Sequence, residues 1–257
     1  MPHFTWNGHH LFYRERGEGP LLLVLPGNTA SSACHEGELD HFSQHHHVAS
    51  LDFVGTGRSD RVAVWADDWW EDGARQAAAL VSHLGRSDCV VVGTSGGAVI
   101  ALLMAIAFPA RVRAVIADSF EERFTAEMLH RNVIADRARR TPGQISFWQR
   151  AHGPDWEQVV DADTEMLRRC ATSGGDWFGG RLPQIRCPVL LTASKGDALL
   201  PDVALQLGRM AGQIPDCRAF LNNAGEHPFM WSHPQDFRTI ADYFLSVVKE
   251  GEAGARD

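Results

Sequence analysis

No uninterrupted apolar run in the 257-residue chain approaches the roughly 18 residues that cross a bilayer, which excludes a membrane-spanning helix. The N-terminus Met1-Pro2-His3-Phe4-Thr5-Trp6 has no basic region followed by an apolar core, so it does not read as a secretory signal. Positive charge is in deficit, with 24 Lys and Arg against 32 Asp and Glu and a formal net charge of −8. Nucleic acid and anionic membrane, which select clustered positive surface, are therefore poor partners. Cysteine is sparse: Cys34, Cys89, Cys170, Cys187 and Cys217 form no C-x-x-C pair, and their odd number suits neither a disulfide framework nor a zinc site. Free thiols in a reducing cytosol are the expectation, and with them a cytoplasmic location. Internal repeats and low-complexity segments are also missing.

What remains is an ordinary globular composition, 44% hydrophobic and 22% charged, long enough for one α/β domain and a modest insertion. Alternation in His10-Leu11-Phe12-Tyr13-Arg14-Glu15 predicts an early antiparallel strand. Leu21–Leu25, Val48–Leu51, Cys89–Val92, Val112–Ala117, Pro188–Thr192 and Arg218–Leu221 read as further strands, several of them continuous apolar runs of the kind buried on both faces. Helical spacing runs from Trp69 to Leu84, with Gly85 as its stop, and from Pro234 to about Lys249, beyond which Gly251–Asp257 is expected to fray. The prediction is an α/β fold, a doubly wound and mostly parallel sheet, with residues 1–119 and 184–257 as core. Residues 120–183 lack strand-like runs and read as an inserted helical cap.

Gly93-Thr94-Ser95-Gly96-Gly97 stands between the strand ending at Val92 and a helix beginning near Ala98. This is G-x-S-x-G on a strand-to-helix turn, a geometry that exposes Ser95 and aims a helix N-terminus at developing negative charge. A serine hydroxyl needs a general base, and the base needs an orienting carboxylate. His227, in a turn after the last strand, falls on the strand-end rim. Asp197, in the loop after the strand at Val189, is favoured as the acid, with Asp118 as the alternative. The backbone N–H groups of Gly96 and Asn28 are candidate oxyanion donors. The histidines at 35, 41, 45, 46 and 47, and those at 83, 130, 152 and 233, are expected on solvated faces, and Glu226 is expected to face solvent.

With Ser95, Asp197 and His227 in that order, the chain resembles the α/β-hydrolase superfamily over nearly its whole length. Three stretches carry the resemblance: the elbow at Ser95, Pro26-Gly27-Asn28 where the family usually has His-Gly-x, and Asp52-Phe53-Val54-Gly55-Thr56-Gly57-Arg58-Ser59 where it often has D-x-R-G-x-G-x-S. Pro26 and Val54 depart from the family pattern. The layout is similar to small capped esterases of the valacyclovir-hydrolase kind. Members of that group that prefer aminoacyl esters carry an aspartate where this chain has Gly96, so that preference is not implied. A serine at the elbow argues against haloalkane dehalogenase and epoxide hydrolase chemistry, which needs a carboxylate nucleophile.

The resemblance implies hydrolysis of a carboxylic ester, thioester or lactone through an acyl-enzyme on Ser95, with no metal and no organic cofactor. The expected partner is a small molecule, and a homodimer is left open. Phe120, Phe124, Phe147, Trp148, Trp156, Trp177, Phe178 and Trp231 are the aromatic residues expected around an apolar pocket. Two rivals stand beside this reading: a carbon–carbon bond hydrolase of β-diketone-like substrates, with cap arginines among Arg123, Arg131, Arg137, Arg139, Arg140 and Arg150 holding a carboxylate, and a non-catalytic ligand-binding member of the fold.

Overall fold

A computed structural model describes residues 2–254. Eight strands form one sheet: β1 His3–Trp6, β2 His9–Arg16, β3 Leu21–Leu25, β4 His47–Leu51, β5 Cys89–Thr94, β6 Val112–Asp118, β7 Val189–Ser194 and β8 Cys217–Asn222, in the spatial order β1-β2-β4-β3-β5-β6-β7-β8. The pairs β1/β2 and β2/β4 are antiparallel, and every pair from β4 to β8 is parallel.

The apolar runs are continuous because the central strands feed two cores. Leu21, Leu23 and Leu25 of β3 enter the core shared with helices α2 (Trp69–His83) and α3 (Gly96–Ala107), while Leu22 and Val24 enter the core under α1 (Glu36–Phe42) and the last helix, Pro234–Gly254. That alternation is the period-2 geometry of a strand covered on both sides. The last helix runs into the tail expected to fray, and the remainder of that tail lies outside the described residues. Strand β1 was not foreseen. It returns into β2 through Asn7 and Gly8, both at positive φ (46° and 85°), the conformation of a two-residue hairpin turn.

From β3 the chain passes to β4 on one side, then crosses back to β5 on the other. The carboxyl ends of β3 and β5 therefore flank a crevice, the place where open α/β sheets bind ligands. Between β6 and β7 the structure is helical: an irregular stretch over 126–138 with a π-helical middle, Leu129–Ala135, then the helices Pro142–His152 and Trp156–Thr172. Among the described residues no helix is long and apolar enough to cross a membrane.

Candidate active site

Ser95 stands at the end of β5, as the residue that precedes α3, with φ 53° and ψ −125°. This sparsely populated conformation is held from both sides. The Ser95 N–H donates to the Asp118 carbonyl at 2.8 Å. A Cβ at Gly93 would strike the Gly97 carbonyl, and one at Gly97 would strike the Leu25 carbonyl, so the turn closes only with glycine at both places. A Cβ at Gly96 would collide with Asn28 Oδ1 and lie 3.2 Å from the Asn28 backbone nitrogen. The turn after β3 and the start of α3 are thus in contact across the crevice.

His227 lies between β8 and the short helix Phe229–Ser232. Its Nδ1 is 2.7 Å from Asp197 Oδ2, with the Asp197 side chain fully buried and that of His227 19% exposed. The other oxygen of Asp197 accepts the Leu199 N–H at 2.9 Å, which fixes the carboxylate in its loop. Burial pulls the His227 pKa down, but the hydrogen bond and charge of Asp197, reinforced by Glu121 and Asp118, outweigh it and leave the imidazole above its ordinary 6.5. An imidazole held this way has its other ring nitrogen, Nε2, available to exchange a proton.

Asp118, the alternative acid, is engaged elsewhere. It is fully buried, and its carboxylate accepts from Thr192 Oγ1 (2.7 Å), Thr94 Oγ1 (3.1 Å) and the Met230 N–H (3.1 Å). Burial pushes it up to about 6 against these three hydrogen bonds. It ties β5 and β7 to the segment that follows His227.

Ser95, His227, Asn28 and Gly96 open on one cavity of about 810 Å³. Its wall includes Phe120, Phe124, Phe147, Trp148, Trp177 and Trp231. Trp156 is not part of the wall. It stacks behind Trp148 with ring centroids 5.3 Å apart, and Phe178 packs against Phe120 instead of reaching the cavity. Glu226 is exposed, as expected, at the cavity rim.

Sequence reasoning missed three polar residues of this region. Glu121, three residues past the end of β6, lines the cavity, and burial pushes its carboxyl up to about 7, against the pull of His227. Its place just beyond a strand end was the available signal. His152, expected on a solvated face, is 4% exposed: its Nδ1 accepts the Gly57 N–H at 3.0 Å and its Nε2 donates to the Thr29 carbonyl at 2.9 Å. Burial lowers its pKa to about 4, so it is neutral. The third, Asp163, sits with Val159, Val160, Met166 and Leu167 on the buried stripe of its helix, and a charge on an apolar stripe is a readable sign of a buried partner. His35, also expected at the surface, is fully buried against Trp231.

The five cysteines are free thiols, and Cys34 borders the cavity. Among the described residues no group of three or more His, Cys, Asp or Glu is placed to hold a metal ion.

The fold recurs in known proteins. The chain is 28% identical to the putative carbamate hydrolase RutD of Azorhizobium caulinodans, over 97% of this chain and all of that protein. It is 33% identical over 118 residues to the 2-(acetamidomethylene)succinate hydrolase of Mesorhizobium japonicum, covering 45% of this chain and 41% of that one. The solved structure of a thermophilic esterase from Thermogutta terrifontis superposes with a TM-score of 0.76 at 21% identity, over 96% of this chain and 97% of that chain. Residues 22–240 match the model of the alpha/beta hydrolase family, and the chain belongs to that family.

Proposed function

We propose that the protein is a serine hydrolase acting on small, largely apolar carboxylic esters, thioesters or lactones, and that residues 120–183 cap its site. The observation that carries this reading is the 2.7 Å contact between His227 Nδ1 and buried Asp197, in a cavity onto which Ser95 opens from a strained turn. Ser95 Oγ attacks the carbonyl carbon and passes its proton to His227 Nε2, and the carbonyl π pair moves onto oxygen. The N–H groups of Gly96 and Asn28 receive that oxyanion. Collapse expels the alkoxide or thiolate, which takes the proton from the imidazolium. Water repeats the sequence, losing its proton to His227 and releasing the acid from Ser95. Asp197 holds the imidazole in the tautomer with hydrogen on Nδ1 and stabilises the cation formed in each half.

Carbamates lie within the same chemistry, and a relative carries that name. Arg150 on the cavity wall favours a second reading, in which the same triad cleaves a carbon–carbon bond in a carboxylate-bearing diketone, whereas Arg137 is already paired with Asp163. Short p-nitrophenyl esters, an aryl carbamate and a vinylogous diketo acid, assayed side by side, separate these substrates. A fluorophosphonate probe is expected to label folded wild-type protein and not Ser95→Ala. Failure to label the wild type sinks the hydrolase reading.

A further inference from the structure

We infer that Asp163, in the helix Trp156–Thr172, is a positioning residue that holds the Asn28 peptide where its N–H can receive the oxyanion. The inference rests on Asn28 being one of the two oxyanion donors.

The Asn28 side chain is fixed at both ends. Its Nδ2 donates to Asp163 Oδ1 at 2.5 Å, and its Oδ1 faces Trp70 Nε1 at 3.4 Å. The chemistry of the partners sets the amide's orientation, because an ionised carboxylate only accepts and an indole N–H only donates. Asp163 is fully buried, and its second oxygen lies 2.7 Å from Arg137 Nη2. Arg137 is itself held to Asp163's own helix through Thr164 Oγ1 at 2.7 Å. The carboxylate therefore cannot turn away from Asn28 without abandoning a buried ion pair.

Two neighbouring bonds act in the same direction. His152 Nε2 donates to the Thr29 carbonyl at 2.9 Å, and Ser31 Oγ donates to the Ala151 carbonyl at 2.8 Å. Thr29 itself is at φ 57°, a left-handed conformation that a β-branched residue keeps only when its surroundings enforce it. The turn after β3 is thus shaped by helices 120 and more residues away in sequence. A carboxylate bearing only on helix packing would need no partner in this turn.

The test is kcat and KM on a short p-nitrophenyl ester, normalised per fluorophosphonate-reactive site. Asp163→Ala is expected to lower kcat roughly 10- to 100-fold with KM within about threefold, the size of effect that misplacing one donor produces. Asp163→Asn keeps an acceptor for Asn28 and is expected to recover most of that loss. Asn28→Ala and Asp163→Ala act through one contact, so the double variant is expected to be no slower than the slower single. The exposed Asp161→Asn, on the same helix, serves as the neutral control. If Asp163→Ala is poorly recovered, Asp163→Leu with Arg137→Met removes both charges and fills the space, and the same fall in kcat is expected. Turnover per labelled site within twofold of wild type in Asp163→Ala, or in Asp163→Leu with Arg137→Met, overturns the inference, as do multiplicative losses when Asn28→Ala and Asp163→Ala are combined. Absence of labelling in the wild type would instead remove the hydrolase reading beneath it.

Discussion

Two buried carboxylates, Asp197 and Asp163, each grip one residue of the same cavity, and they come from different parts of the molecule. Asp197 follows a strand of the sheet and holds the His227 imidazole. Asp163 sits in the middle of a helix inserted between two strands and holds the Asn28 amide. In the proposed reaction the first fixes the group that moves a proton, and the second fixes a backbone turn that moves nothing. The strand ends thus carry Ser95, Asp197 and His227, and the helices between β6 and β7 carry the polar supports that hold the turn after β3 in shape.

Removing the sheet-side pair tests the contrast most severely. His227→Ala is expected to lower kcat at least about 10³-fold, and Asp197→Asn by a comparable factor through loss of the correct tautomer, with little change in urea stability. Near-normal turnover in either variant would dissolve the difference between the two carboxylates.

The helix side should also show itself in stability. His152 has a pKa of about 4 in the folded protein against an ordinary 6.5. Between these values the unfolded chain binds a proton that the folded one does not. Stability from this group is therefore complete above about pH 6.5 and falls by up to roughly 3 kcal/mol as pH drops toward 4. Between pH 7 and 4.5 the urea stabilities of wild type and His152→Gln should change with slopes that differ by that loss, a comparison that cancels Asp118 and Glu121, whose raised pKa values act in the opposite sense. An unchanged slope in the variant would mean that His152 is no staple.

The smallest effect lies at Glu121, where the inserted segment begins. Its negative charge raises the His227 pKa, so Glu121→Gln should move the acid limb of the kcat/KM profile to lower pH. A limb that stays in place would confine electrostatic control of His227 to Asp197 and Asp118.

This division also explains what could be read in advance. Strands β3, β5 and β6 were legible because burial on both faces leaves an unbroken apolar run, and the elbow was legible because its glycines sit where backbone crosses backbone. Asp197 follows such a strand, β7, whereas His227 follows the half-buried edge strand β8, marked only by the short run Ala219-Phe220-Leu221. His3–Trp6 escapes sequence reading because it is a short edge segment with a mixed pattern, although Asn7-Gly8 is a hairpin dipeptide. His152 and His35 were misread because a polar residue in a charged helix looks solvated until the helix has something to lie on. Trp156 was placed at the cavity by type alone, whereas stacking on Trp148 sets it one layer back. The polar supports depend on contacts between segments more than a hundred residues apart, and spacing along the chain does not encode them.

The three bonds between the turn at Asn28–Ser31 and the inserted helices form an interlock. Any displacement of those helices from the sheet breaks all three bonds together, because Asp163, His152 and the Ala151 carbonyl move as one body. The shape of the turn beside Ser95 and the seating of the helices above it are therefore one property and not two.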